Sequence, residues 1–289
     1  MSVPHRDASV SVHVVRRDGA ATRREKDSLV AEEPLEIRLR EGGGAAARFV
    51  VTMRTPGDDD DLAVGLLYGE GVIGGIADVL AIGPPDEAGL APELARNVRV
   101  VTLAPGGTGG VPRRATVMGS ACGVCGRTSV ADVIALAAAA RARAARLASE
   151  GLAADVTISA ELLTRLPDVL RERQSVFAST GGLHAAGFFG ADGSLAVARE
   201  DVGRHNATDK AIGSLLRERR AAPPVLLVSG RLGFEIAQKA ALAGAVIVAA
   251  VSAPTSLAVD LAEEAGITLV GFLRGGRFNV YAHPERIRD

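Results

Sequence analysis

The chain has 289 residues, a formal net charge of −1 and 47% apolar residues, with aromatics at 3% and no Trp. A balance this close to neutral argues against a dedicated nucleic-acid binder, whose footprint is a strong basic excess, and no run approaches the roughly 20 apolar residues of a membrane span. Arg6 and Asp7 stand near the N-terminus with no apolar stretch behind them, so no signal peptide is read there.

The length suits one large domain or two smaller ones, and a core drawn from Ala, Val, Leu and Ile suits helices packed on a sheet. Residues 1–28 mix Arg16, Arg17, Arg23, Arg24, Glu25 and Lys26 with a short apolar alternation at Val10 to Val15, which predicts one edge strand on an otherwise mobile arm. A β-rich part is expected over 29–118. Within it, Glu33 to Leu39 alternates with period two, a glycine turn at Gly42 to Gly44 follows, and Phe49 to Met53 completes a hairpin. Asp58 to Asp61 then precede the helix-periodic Leu62, Val64, Leu66 and Leu67, an acidic run of the kind a helix N-terminus favours through its dipole. Adjacent positions on a first turn point apart, so metal ligation by these aspartates is the weaker reading. Val98 to Leu103 is a further strand.

Residues 119–150 form a separate segment. It opens on Gly119-Ser120-Ala121-Cys122-Gly123-Val124-Cys125-Gly126-Arg127, which holds the only two cysteines of the chain, and continues into a helix rich in Ala, Leu and Arg over 130–147. A thiol among glycines keeps access to its surroundings. Free backbone amides, Arg127, Arg113 and Arg114 favour its thiolate over a thiol whose ordinary pKa is about 8.5, which describes a nucleophile. Structural cysteines instead sit in apolar runs. No second Cys pair or His-x-x-x-His partner accompanies these two, so a zinc site lacks ligands unless subunits share it, and no resident metal is expected. With two cysteines and no export signal, the cytoplasm is the expected compartment, where such a pair is more often catalytic than a disulfide.

Over 151–289 strand and helix signals alternate. A short strand or turn at Asp155 to Ile158 leads into a helix. Phe177 to Phe189 pairs with Leu195 to Asp201 across Asp192-Gly193, and Gly203 to Arg219 is a helix. Val225–Val228, Ala245–Val251 and Ile267–Phe272 are strands, separated by helices over Phe234–Ala243 and Ser256–Ala265. Parallel crossovers are expected, with ligands at the strand ends, where Ser229, Gly230, Arg231, Ser252, Phe272, Arg274 and Arg277 lie. His184 and His205 each read first as hydrogen-bonded structural residues, and Arg54 and Asp201 as ion-pair members.

Several stretches together resemble the FdhD/NarQ family of formate dehydrogenase accessory sulfurtransferases. They are Glu33-Pro34-Leu35, Met53-Arg54-Thr55-Pro56-Gly57, Cys122 to Gly126, Thr180 to His184, Arg199 to Lys210, Ser229-Gly230-Arg231, and Phe272-Leu273-Arg274 through Tyr281, within one family domain over 29–286. Glu200-Asp201-Val202-Gly203-Arg204-His205-Asn206 is the most specific of them. The resemblance implies a cytoplasmic homodimer that takes sulfur as a persulfide from a cysteine desulfurase. That sulfur goes to the molybdenum cofactor, Mo-bis(molybdopterin guanine dinucleotide), before formate dehydrogenase is assembled. It places the persulfide on Cys122, makes Cys125 the candidate second thiol, and implies an α/β C-terminal core of cytidine deaminase-like architecture. The guanine dinucleotide ends map onto Phe272, Leu273, Arg274, Gly275, Gly276 and Arg277. Ser229, Gly230, Arg231, Arg204 and His205 complete the cofactor-binding set, because guanidinium groups near turns and helix starts suit diphosphates. Deaminase chemistry does not carry over: His184 is followed by Ala185-Ala186 and Cys122 is preceded by Ala121, so the zinc signature is broken. Two rivals stand beside the sulfurtransferase: a chaperone that binds the cofactor without moving sulfur, and a thiol–disulfide oxidoreductase, against which the Cys pair's position outside a strand-to-helix junction counts.

Overall fold

The structure, a computed structural model, describes residues 8–86, 91–105, 116–118, 138–140, 142–143, 146 and 156–289. It begins with an antiparallel ribbon of β1 (Ser9–Asp18) and β2 (Ala21–Val30). The sequence predicts only a strand near Val10 to Val15 here. β2 escapes notice because both of its faces are largely exposed and its charges are spent across the ribbon, as in Arg16 Nε to Glu25 Oε1 at 2.7 Å, so no period-two pattern is required.

The next elements build a small sheet and its helix. β3 (Glu33–Glu41) and β4 (Ala47–Arg54) are the expected hairpin, followed by α1 (Asp59–Gly69), β5 (Val79–Gly83), the single turn α2 (Pro92–Ala95), β6 (Val98–Leu103) and β7 (Thr116–Met118). The five strands lie in the order β5-β6-β3-β4-β7. Leu35, Ile37, Val50, Val101 and Leu103 bury one face of this sheet against Leu62, Leu66 and Leu67 of α1. The aspartates before α1 do occupy its first turn, but Asp58 caps nothing with its side chain. Their carboxylates meet arginines instead: Asp59 takes Arg54 Nε at 2.8 Å, Asp60 takes Arg99 Nε at 2.8 Å, and Asp61 takes Arg199 and Arg217.

The larger layer starts at β8 (Ile158–Ser159). There follow α3 (Ala160–Glu172), α4 (Ser175–Thr180), β9 (His184–Phe189), β10 (Leu195–Asp201), α5 (Arg204–Arg217), β11 (Val225–Val228), α6 (Phe234–Ala243), β12 (Ile247–Ala250), α7 (Ser256–Ala265), β13 (Thr268–Arg274), β14 (Arg277–Ala282) and β15 (Ile287–Arg288). Six strands form a mixed sheet in the order β10-β9-β11-β12-β13-β14, parallel through β11, β12 and β13 and antiparallel at both flanks. The parallel centre is apolar on both faces, as covering by helices demands. Leu226, Val228, Val248 and Ala250 face α5, α6 and α7, while Val225, Leu227, Ile247 and Ala249 face α3. The expected last strand is followed by β14, which closes a hairpin over Gly275 and Gly276 at φ 59° and 73°, the paired left-handed conformation of a tight two-residue turn.

Helices α1 and α5 join the two layers at close range. A Cβ at Gly65 would stand 1.9 Å from the carbonyl oxygen of Asp209, and one at Gly213 would stand 1.9 Å from that of Asp61, so only glycine allows this approach. The mixed α/β architecture is thus a six-stranded core carrying a smaller β-rich N-terminal part.

Candidate functional site

Most of the Glu200 to Lys210 stretch locks the two layers together. Glu200 accepts the amides of Val176 and Phe177 at 3.1 and 2.8 Å and so caps α4. Asp201 is fully buried. It accepts the amides of Thr55 (3.1 Å) and Gly203 (2.9 Å) and the side-chain amide of Asn206 (3.0 Å), and pairs with Lys210 Nζ at 2.8 Å. Lys210 donates further to the carbonyl of Thr55 at 2.9 Å, and Asn206 to that of Met53 at 2.7 Å. The Met53-Arg54-Thr55 stretch is therefore the other half of this latch. Arg54 and Asp201 are ion-pair members, as their residue types suggest.

The latch fixes the start of α5 against the end of β11. Arg204 is the first residue of α5, and a Cβ at Gly230 would lie 3.2 Å from its Cδ and 3.2 Å from Nδ1 of His184. Gly230 thus lets a helix start and a strand end share one spot, with Ser229 accepting the amide of Ala185 at 2.9 Å to hold the turn. His205 is buried beside them, its Nε2 3.1 Å from Glu235 Oε2 at the start of α6.

Positive charge dominates this spot. Burial, Arg204 and Arg231 push the His184 pKa down against the opposing pull of Asp201, and burial with Arg204, Lys239 and His184 pushes that of His205 down to about 3. Both imidazoles are therefore neutral near pH 7. A neutral His205 beside a carboxylate donates from Nε2 to Glu235, which leaves Nδ1 as an acceptor; that atom is buried with no hydrogen-bond partner among the described residues. Arg204 and Arg231 offer a ligand positive charge here, and the Nδ1 of His205 offers it an acceptor for an N–H or O–H.

The remaining predicted positions continue along the same sheet edge. The bridge of Leu232 to Pro254, and the amide of Phe272 donating to Ser252 at 3.0 Å, bring the ends of β11, β12 and β13 side by side. Phe272 has φ 55°, left-handed for a bulky residue, at a break in the β13–β14 register. Backbone held this way clusters at ligand sites, and a bulge re-aims the side chain. Arg274 and Arg277 face each other across the exposed hairpin end, with the Arg274 guanidinium 5.9 Å from the Phe272 ring. Leu273 is buried on the α3 face, so it packs the core and does not point outward with its neighbours. The structure therefore groups Arg204, His205, Ser229, Gly230 and Arg231 with His184. Phe272, Arg274, Gly275, Gly276 and Arg277 stand two strands away, at the end of β13.

Cys122 and Cys125 lie outside the described residues, as do Arg113, Arg114 and Arg127. Met118, the last described residue before them, pairs with Thr52 of β4, whose hydroxyl is 3.4 Å from Asn206 in the first turn of α5. Glu235 and Lys239 were not singled out in the sequence. An acidic residue in the first turn of a predicted helix is the only trace Glu235 leaves there. Among the described residues no group of His, Cys, Asp or Glu side chains is placed to hold a metal ion, and no helix is long and apolar enough to cross a membrane.

Comparison with known proteins adds to this geometry. The FdhD/NarQ family description matches residues 30–288. The protein called sulfur carrier protein FdhD in Nocardia farcinica is 48% identical over 287 residues, covering 96% of this chain and 94% of its own. Those of the same name in Streptomyces coelicolor and Thermoplasma acidophilum are 47% and 42% identical, covering 94% and 90% of this chain and 92% and 87% of their own. A crystal structure from Desulfotalea psychrophila, of a protein described only provisionally as a formate dehydrogenase accessory protein, superposes with a TM-score of 0.70. It covers 98% of this chain and all of its own at 22% identity, a likeness of fold alone. Matched almost from end to end, and nearly half identical to relatives over that span, this chain belongs to the FdhD/NarQ family.

Proposed function

We propose that the protein is a sulfurtransferase of formate dehydrogenase maturation, carrying sulfur on Cys122 from a cysteine desulfurase to the molybdenum cofactor bearing guanine dinucleotide ends. The observation that carries this reading is the near-half identity, across almost the whole chain, to proteins named as sulfur carriers, in a sequence whose only thiols form one Cys-x-x-Cys pair.

In the loading step the Cys122 thiolate attacks the outer sulfur of a donor persulfide. The donor's S–S bond breaks, an S–S bond to Cys122 forms, and the donor's own thiolate leaves, with no net oxidation. A thiolate and a diphosphate are both anions, and the positive charge of Arg204 and Arg231 at this edge favours either. The acceptor is substrate here, and the residues offered to it are Arg204, His205, Ser229, Gly230, Arg231 and the Phe272 to Arg277 hairpin end. The cytoplasm, where thiols stay reduced, is the matching compartment, and a homodimer is the expected assembly.

Incubation with a cysteine desulfurase and cysteine, followed by peptide mass spectrometry, tests the reading. Cys122 gains one sulfur atom, and Cys122→Ala fails to activate formate dehydrogenase while its circular dichroism is unchanged. Activation by Cys122→Ala at the wild-type level would leave the chaperone reading instead.

A further inference from the structure

The opposite end of the six-stranded sheet holds a cavity of about 480 Å³. It lies where α1, α5 and α6 end, and where the chain enters β11 and β12 at Pro224 and Val246. The four residues of β11, about 13 Å of strand, separate it from the edge that carries Ser229 to Arg231. A volume of this size falls within the range of small-ligand sites, roughly 300 to 1,000 Å³. Small residues at Ala221, Ala222, Ala243 and Gly244 keep it open, and Ile212, Leu215 and Leu216 make its floor apolar.

The polar side chains among its described lining residues are Tyr68, Arg143 and Arg220. Tyr68 gives its hydroxyl hydrogen to the carbonyl of Leu242, and burial raises its pKa, so the phenol stays neutral. Arg143 lines the same cavity, and its Nε is buried with no hydrogen-bond partner among the described residues. Arg220 reaches the mouth from a turn in which Arg219 takes a left-handed conformation at φ 54°, the amide of Arg220 bonding back to Leu215 at 2.9 Å. Among the described residues Glu218 answers Arg220, at 2.9 Å, and is held by Ser214 at 3.1 Å. An apolar chamber whose described lining carries Arg143 and Arg220 and no carboxylate suits an apolar body bearing a negative charge.

We propose that this cavity binds a small amphipathic carboxylate, its chain against Ile212, Leu215 and Leu216 and its carboxylate on Arg143 and Arg220. The carboxylate can belong to a free aliphatic acid or to the C-terminal apolar residue of a peptide. The site is independent of the sulfur-carrier reading, and its occupation can be measured whether or not that reading holds.

Calorimetry with butyrate, hexanoate, octanoate and 1-octanol tests it on the full chain. Affinity for the acids rises about fourfold per methylene until the chamber is filled, and octanoate exceeds 1-octanol by tenfold or more. Arg143→Gln and Arg220→Gln, both on partly or fully exposed side chains, remove that excess while leaving octanol binding and the circular dichroism unchanged. The tripeptide Ala-Leu-Leu and its C-terminal amide form the second arm. Tighter binding of the peptide acid than of octanoate, with loss in the amide, assigns the site to a chain terminus, and the converse assigns it to free acids. Octanol equal to octanoate, no effect of Arg143→Gln, competition by guanosine diphosphate, or no binding of either acid in the millimolar range each overturn the proposal.

Discussion

Asp201→Asn tests whether the Glu200 to Lys210 stretch is a lock between layers. The change keeps size and shape but removes the charge from a carboxylate of 0% exposure that accepts three N–H groups and pairs with Lys210 at 2.8 Å. Lys210 is 1% exposed, and after the substitution its ammonium keeps neutral carbonyl oxygens, those of Thr55 and Glu200 among them, but has lost its carboxylate. Breaking a buried pair on one side costs about 3 to 5 kcal/mol, because the surviving charge is left uncompensated. The asparagine NH2 must also face at least one of the donors that the carboxylate used to accept. Against a total stability of about 5 to 15 kcal/mol, that loss is readily measured. Urea unfolding followed by far-ultraviolet circular dichroism is the suitable assay, since the chain has no Trp. The double variant Asp201→Asn, Lys210→Met carries no orphaned charge and recovers at least half of the loss. A single-variant loss under about 1 kcal/mol, or a double variant no more stable than the single one, would refute the reasoning.

Further expectations concern the sheet edge. His205, with a folded-state pKa of about 3 against an ordinary 6.5, takes up its proton more readily when unfolded. Its contribution to stability is therefore complete above pH 6.5 and is lost as pH falls toward 3, at up to about 1.4 kcal/mol per unit. Asp209, raised to about 6 by burial against the pull of Lys239, acts in the opposite sense: its contribution is lost as pH rises from about 4 to 6. His205→Gln removes the first dependence and leaves the second. In long-range nitrogen–proton spectra His205 stays neutral at pH 5 with its hydrogen on Nε2, and a titration midpoint near 6.5 would contradict the site's electrostatics. For the proposed cofactor edge, guanosine diphosphate binds more tightly than adenosine diphosphate. Arg274→Ala or Arg277→Ala costs on the order of 1.5 to 3 kcal/mol where that side chain meets the diphosphate. Equal binding of the two nucleotides, or undiminished binding after both substitutions, moves the ligand elsewhere along the edge.

Legibility in the sequence followed burial. The β3–β4 hairpin, β6 and the strand–helix alternation from β9 to β13 could be read because one or both faces of each element are buried and the apolar period records it. β2 carries Thr22, Arg23, Arg24, Glu25 and Lys26 on a ribbon exposed on both sides, so nothing in its period marks it as a strand. The aspartates at the start of α1 read as dipole partners, yet all four meet arginines: Arg54 lies five residues from Asp59, while Arg99, Arg199 and Arg217 are distant in sequence and only the tertiary fold brings them to Asp58, Asp60 and Asp61. Glu200 to Lys210 was recognisable as a family block but not divisible. That Asp201, Asn206 and Lys210 hold the layers while Arg204 and His205 face the edge depends on the phase of α5, which a motif does not display. Glu235 has the same difficulty, since its meaning comes entirely from His205 on another helix.

The division of that block gives the candidate site its physical logic. A site that favours anions gains from turning carboxylates away from the edge, and Glu235, which stands beside it, is engaged by His205 at 3.1 Å. The fold separates the two tasks by a single helical turn. Asp201 spends its charge inward on Lys210 and on the amides of Thr55 and Gly203, which holds the start of α5 in place, and Asp209 spends its charge on Lys239 at 2.6 Å. Toward the edge, Arg204 and Arg231 sit near two imidazoles that remain neutral because burial, and after it the neighbouring positive charge, opposes their protonation. Gly230 removes the one side chain that would fill the junction. Loss of the inward lock should therefore be felt at the outward face, with Asp201→Asn weakening anion binding at the edge even though Asp201 itself stands behind α5 and never meets the ligand.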